Sequence, residues 1–207
     1  MTGQISVIFT DRINELSTTI ASLLNSKYVD RVILSTFKDK LAIVDHEKGT
    51  LILNKRPANS GKDNRKEKII CCYNALRYVD TKYSLTLFQD IDNFDLLIDN
   101  LIEKFDSNKL YTTGINKEVP FCPNFTIFGT TKKVKDFWQC PLDETLSGDV
   151  IQENCYICSH YLKLYSTAAG DAILNPEKFL FYNAPDRLKM IDSSNKVMSK
   201  YFEVLSD

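Results

Sequence analysis

Two aspartates, Asp90 and Asp92, follow the β-rich run Tyr83 to Phe88 and are separated by one residue. Carboxylates at positions i and i+2 beyond the end of a strand can both turn toward one divalent cation. Such hard oxygen ligands suit Mg²⁺ or Mn²⁺ that carries a diphosphate. The spacing therefore predicts a metal site that includes Asp90 and Asp92. The alternative is a local structural role, because Asp92 and Asn93 are residue types that begin helices.

The segment that leads into the second predicted helix is rich in positive charge. Between positions 55 and 68, the basic residues are Lys55, Arg56, Lys62, Arg65, Lys66 and Lys68, against the acidic Asp63 and Glu67. A basic loop of this kind can hold phosphates. The alternative is an ordinary solvated loop, since positive charge at a helix N-terminus opposes the helix dipole.

Hydrophobic periodicity predicts strands that alternate with helices. Strands are predicted at 5–9, 32–34, 51–53, 83–88, 110–112 and 125–128, and helices at 13–24, 65–79, 94–105 and 131–138, with Asn64 and Asn93 as N-caps and a mainly helical remainder from Val150. This alternation predicts one α/β domain over residues 1–207 with a mostly parallel sheet. The sheet belongs to residues 1–142, and residues 143–207 form a mainly helical segment that packs on it or faces an acceptor.

Polar residues stand at the carboxyl ends of the predicted strands. The first strand leads into Thr10, Asp11 and Arg12, the second ends in Ser35 and Thr36, and the third leads into Asn54, Lys55 and Arg56. In open α/β sheets, ligands bind at this edge, where loops converge and helix N-termini present free N–H groups. We therefore expect a binding site there.

Five short segments occur in the same order as in a known family. They are Ile5–Phe9, Arg31–Phe37, Asn64–Arg65, Lys82–Asp90 and Phe125–Thr131. This order resembles that of the WavE-type lipopolysaccharide-synthesis glycosyltransferases. The resemblance implies a GT-A-like, Rossmann-like domain that moves a sugar from a nucleotide-diphosphate donor to a cell-surface glycan acceptor, free or lipid-linked.

The same resemblance implies roles for particular residues. The donor-binding set is Thr10, Asp11, Arg12, Ser35, Thr36, Asn64 and Arg65, and Asp90 lies near the donor sugar or, alone or with Asp92, holds Mn²⁺ or Mg²⁺. A transferase of the inverting type also needs a general base near the acceptor hydroxyl. Glu177 and Asp143 are the candidates, although Glu177 also suits the first turn of a helix after Pro176.

Three positions depart from the family pattern. Phe37 stands where tryptophan is usual, Lys66 replaces a glutamine, and Phe88 replaces an arginine two residues before the aspartate. The missing arginine favours a second hypothesis, a catalytically degenerate domain that binds a nucleotide, glycan or partner protein without turnover. A third, a nucleotidyltransferase, normally has a glycine-rich first loop, which Thr10, Asp11 and Arg12 do not form.

A zinc site is the other metal-binding alternative. Cys155, Cys158 and His160 have suitable ligand spacing, but their segment is apolar and lacks a second cysteine pair. Buried core thiols are the preferred interpretation.

The net charge of the chain bears on which classes of partner it can bind. The formal net charge is -1, so no global field favours nucleic acid as a partner. The sequence shows neither a signal-peptide pattern nor an apolar run of transmembrane length, which predicts a cytoplasmic protein and leaves peripheral contact with the inner face of the membrane open.

Overall fold

The computed structural model describes residues 2–10, 17–38, 45–60, 64–88, 91, 93–112, 126–142, 153–164, 196 and 200–204. Helices and strands alternate along most of this chain. In chain order they are β1 (Ile5–Phe9), α1 (Ser17–Asn25), β2 (Val29–Phe37), β3 (Gly49–Asn54), α2 (Arg65–Arg77), β4 (Tyr83–Leu87), α3 (Phe94–Ile102), β5 (Leu110–Thr112), β6 (Ile127–Thr130), α4 (Thr131–Trp138), α5 (Glu153–Lys163) and β7 (Phe202–Val204).

The strands form one mixed sheet in the order β3-β2-β1-β4-β6-β5-β7. β1, β2, β3 and β4 are mutually parallel, and β5 pairs with β7 in parallel. Within the described sheet, β6 alone is antiparallel to its neighbours β4 and β5. The predicted α/β class with a mostly parallel sheet is therefore confirmed.

The described part of residues 143–207 contains the helix α5 and also a strand that the sequence did not predict, β7, which pairs with β5 at the edge of the sheet. Phe202 of β7 is buried and packs against Phe137 and Tyr161. Burial of this aromatic ring explains why a three-residue run becomes a strand without a strong local signal.

Helices cover both faces of the sheet. Because side chains alternate along a strand, Val7 and Phe9 of β1 face the layer of α1 and α3, whereas Ile8 faces the layer of α2, α4 and α5. All three side chains are buried. The result is a helix–sheet–helix arrangement with an apolar core on each side of the sheet.

Hydrogen bonds tie α3 to the start of β2. The Ser26 hydroxyl donates to Asp95, and the Tyr28 hydroxyl donates to Asp99. The hydrogen bond to Asp99 raises the pKa of the Tyr28 phenol. The predicted N-cap of this helix is confirmed, because the Asn93 side chain accepts a hydrogen bond from the Leu96 N–H at 3.0 Å. The first turns of α3, which follows Asp90 and Asp92 in the sequence, are thus held in place.

Candidate functional site

A small open pocket lies at the carboxyl edge of the sheet, beside the first turns of α2. Its volume is about 40 Å³. It is lined by the ends of β1 and β2 and by one side of α2, namely by Thr10, Phe37, Asn64, Glu67, Lys68 and Cys71. Ligand sites for small molecules usually measure about 300–1,000 Å³, so this pocket has room for one edge of a ligand rather than a whole one.

Two of the predicted donor-binding side chains, Thr10 and Asn64, meet in this pocket. Thr10 follows β1 and is 4 % exposed, and Asn64 immediately precedes α2. The chain brings them together because β1 and β2 end at the same edge where α2 begins. Arg65 is the first residue of α2 and so also belongs to this edge.

Ser35 and Thr36 lie beneath the surface of this edge. Ser35 is fully buried, and its hydroxyl donates to the Cys71 carbonyl at 2.8 Å. Thr36 is also fully buried, and among the described residues its hydroxyl has no hydrogen-bond partner. By strand alternation, Thr36 faces the layer of α1 and α3, opposite to Ser35. These two predicted site residues are therefore placed below the pocket, on opposite faces of the sheet.

Asn54, at the end of β3, joins three elements under the pocket. Its amide nitrogen donates to Ser35 Oγ at 2.9 Å and to the Thr36 carbonyl at 3.0 Å, and it lies 3.6 Å from Cys71 Sγ. Its side-chain oxygen accepts from Asn74 Nδ2 at 2.8 Å. The sequence indicated Asn54 only as one of several polar residues at strand ends; its bridging role depends on tertiary contacts.

Glu67 is the buried charge of the site. One oxygen of its carboxylate, Oε1, accepts from Arg56 at 2.7 Å and from Ser60 at 2.6 Å. The Arg56 guanidinium also lies over the Phe37 ring, 4.7 Å from its centroid. These contacts hold the segment after β3 against the start of α2. Arg56 of the basic segment therefore has a structural role, and Lys68 of the same segment lines the pocket.

Asn64 occupies the predicted N-cap position of α2, but its side chain does not cap the helix. Asn64 has φ 59° and ψ 28°, in the left-handed region, and its side chain makes no capping hydrogen bond. Among the described residues, it is the one non-glycine with a positive φ. Asparagine tolerates this conformation better than most residues do, which explains its presence at the turn into α2.

This backbone conformation makes a prediction for stability. We expect Asn64→Ala to lower the free energy of unfolding by about 1 kcal/mol, because a Cβ-bearing residue without a polar side chain is strained there. Asn64→Gly is expected to stay within about 0.5 kcal/mol of the wild type, since glycine adopts a positive φ freely. Urea denaturation without ligand measures both. Equal stability of the alanine and glycine variants would contradict the left-handed assignment.

Five predicted site residues, Asp11, Arg12, Asp90, Asp92 and Glu177, lie outside the described residues. In the described parts of the chain, no group of three or more His, Cys, Asp or Glu side chains is arranged to hold a metal ion. Of the cysteines in the alternative zinc motif, Cys158 is described and is fully buried in the core.

Phe88, which follows β4, is partly buried and packs against the core. Its ring stacks on that of Trp138, with centroids 5.8 Å apart and planes at 27°. Where the WavE-type pattern has an arginine, this chain therefore has an aromatic residue that pairs with Trp138 at the carboxyl end of β4.

No helix among the described residues is long and apolar enough to cross a membrane. No protein-family model matches the sequence, and no curated protein matches it.

Proposed function

We propose that the protein is a glycosyltransferase with a GT-A-like, Rossmann-like domain. It moves a sugar from a nucleotide-diphosphate donor to a cell-surface glycan acceptor. The proposal combines the resemblance to the WavE-type enzymes with the position of the pocket. It also assigns the protein to the cytoplasm, with the inner membrane face as the place where it meets a lipid-linked acceptor.

The strand order β3-β2-β1-β4 is the observation that carries this proposal. The chain runs outward from β1 to β2 and β3 and then crosses back to β4 on the other side of β1. In doubly wound sheets, this reversal opens a crevice between the central strands at their carboxyl ends, where nucleotides bind. Phe9 of β1 pairs with Leu87 of β4, so both strands end side by side at this edge of the sheet. In sequence, the segment after β1 carries Asp11 and Arg12, and the one after β4 carries Asp90 and Asp92.

The proposed roles follow from the chemistry of these side chains. Two carboxylates, Asp90 and Asp92, are a donor set that fits a hard divalent cation such as Mg²⁺ or Mn²⁺. When bound, that cation neutralises charge on the leaving diphosphate. Arg65 and Lys68 add positive charge at the start of α2. Lys66 contributes less, because it is only 6 % exposed. Glu177 is the proposed general base that takes the proton of the acceptor hydroxyl.

The test is the thermal unfolding midpoint with a panel of nucleotide-diphosphate sugars, with and without Mn²⁺. A ligand that binds only the folded state raises this midpoint. We expect one donor to raise it in the presence of Mn²⁺, and we expect Asp90→Ala to remove that effect because the metal loses a ligand.

Asp30→Ala is the matched control. Asp30 is exposed and lies near the start of β2, at the opposite edge of the sheet, so this variant should keep the full shift. An unchanged shift in Asp90→Ala would remove Asp90 from the site. The absence of a shift with every donor would overturn the proposed nucleotide-sugar binding.

A second candidate function is a catalytically degenerate domain that binds its ligand without turnover. The observation that favours it is the stacking of Phe88 on Trp138. An aromatic side chain that packs against the core thus stands where the WavE-type pattern has an arginine. Donor hydrolysis or sugar transfer separates the two candidates. A donor that binds but is neither hydrolysed nor transferred supports the degenerate domain.

A further inference from the structure

The pocket beside α2 has an unusual charge for a site that faces a diphosphate. Glu67 lines it, and the Glu67 side chain is only 9 % exposed. Lys68 also lines the pocket, so the two charged side chains of the lining have opposite signs, and this lining lacks the net positive charge that a diphosphate needs. Glu67 accepts hydrogen bonds and Lys68 donates them, which favours an occupant with neutral hydroxyl groups.

The carboxylate of Glu67 is held by one of its two oxygens. Arg56 and Ser60 both donate to Oε1. A second contact fixes the same segment, because the Lys66 N–H donates to the Ser60 carbonyl at 3.1 Å. Among the described residues, no hydrogen bond reaches Oε2, so this oxygen remains for a ligand, and the carboxylate is already oriented before the ligand arrives. Such preorganisation favours binding because little side-chain freedom is lost.

Three of the other lining residues suit a sugar ring. Thr10 supplies a hydroxyl that both donates and accepts, Asn64 supplies an amide, and Phe37 supplies an apolar wall. The volume of about 40 Å³ matches one edge of a ring. The pocket also lies on the nucleotide-binding half of the sheet, beside the end of β1.

We propose that this pocket binds the ribose of the nucleotide donor, with Glu67 Oε2 accepting hydrogen bonds from the vicinal 2′- and 3′-hydroxyls. Glu67 is then a specificity-determining residue that selects ribonucleotides over 2′-deoxyribonucleotides. This inference rests on the proposed function and adds the recognition of one part of its donor.

The experiment compares the diphosphates of uridine, cytidine, adenosine and guanosine with their 2′-deoxy counterparts, using calorimetric binding to the wild-type protein and to Glu67→Gln. These probes carry no donor sugar, so a vicinal diol in them belongs to the ribose. We expect the preferred ribonucleotide to bind wild type about tenfold more tightly than its 2′-deoxy form, because a hydrogen bond to a charged group is lost. In Glu67→Gln, that ratio should fall close to one, mainly through weaker ribonucleotide binding.

Ser60→Ala is the control, because it removes one hydrogen bond to Oε1 and leaves the charge and Oε2 in place. It should keep the preference for ribose. Since the ribose preference of the wild type is itself a test, the inference stays falsifiable even if Glu67→Gln does not fold.

The outcomes separate the inference from the proposed function. Equal binding of ribo and deoxy forms to the wild type would overturn the ribose pocket and leave nucleotide binding intact. An unchanged ribose preference in Glu67→Gln would remove Glu67 from that role. If no nucleoside diphosphate binds, both the proposed function and the ribose pocket fail.

Discussion

Replacing Trp138 with alanine is expected to lower the free energy of unfolding by about 3–5 kcal/mol. Trp138 is the only tryptophan of the chain and is fully buried at the end of α4. Its ring contacts Phe137 at 5.4 Å and Phe88 at 5.8 Å between centroids. Truncation removes this apolar burial and leaves a cavity that the surrounding helices and sheet fill only in part.

The indole N–H adds a polar contribution. Trp138 Nε1 donates to Thr86 Oγ1 at 3.2 Å, and both groups are buried. Trp138→Phe keeps an aromatic ring but loses this hydrogen bond, so we expect a smaller loss of about 1–3 kcal/mol. The difference between the two variants separates packing from hydrogen bonding.

The measurement is urea denaturation followed by circular dichroism, since the variants lack the tryptophan fluorescence that would otherwise report unfolding. The slope with denaturant should stay constant, so that a shifted midpoint means a change in stability. A loss below about 1 kcal/mol for Trp138→Ala would contradict the packing described for this end of the sheet. It would also contradict the packing of the partly buried Phe88 against this core.

Local sequence signals predicted the elements with strong periodicity or defined ends. The predicted helix at 131–138 coincides with α4, and Asn93 caps α3 as expected. Each depends on a signal within a few residues of the helix: the turn Gly129–Thr130 precedes α4, and the Asn93 side chain caps α3. The order of strands and helices also predicted that Thr10 and Asn64 meet at the carboxyl edge of the sheet.

The features that sequence did not predict depend on distant contacts. The antiparallel direction of β6 is set by its pairing with β4 and β5, and β7 forms because Phe202 is buried against α4 and α5. A strand of three or four residues carries too little periodicity to show either property. The sequence shows Glu67 only as an acidic residue in a basic segment, since its burial requires Arg56 and Ser60 to fold back onto α2.

Asn54→Ala is expected to lower the free energy of unfolding by about 2–3 kcal/mol. Asn54 is 5 % exposed, and its side chain joins the ends of β2 and β3 to α2 through Ser35, Thr36 and Asn74. Removal of the amide leaves several of these buried polar groups without a partner, and each such group costs free energy. Asn100→Ala, on the exposed face of α3, is the matched control and should change stability by less than about 0.5 kcal/mol.

Asn54→Asp tests the polarity of the network with almost no change in shape. The amide nitrogen faces two acceptors, Ser35 Oγ and the Thr36 carbonyl, so a carboxylate in its place meets oxygen atoms and loses hydration. Its pKa should rise, because burial and these acceptors disfavour the charged form. A raised pKa means that stability is retained at low pH and lost as the pH rises through the pKa of the folded state.

Asn54→Asp should therefore be less stable than Asn54→Ala at pH 7, and the gap should narrow or reverse on acidification. Urea denaturation at several pH values measures this crossover. Because Cys71 lies both in the pocket and beside Asn54, the two variants should also weaken the proposed nucleotide binding. Full stability of Asn54→Ala together with unchanged binding would show that the three elements are held at this edge by apolar packing alone, and Asn54 would then have no part in shaping the site.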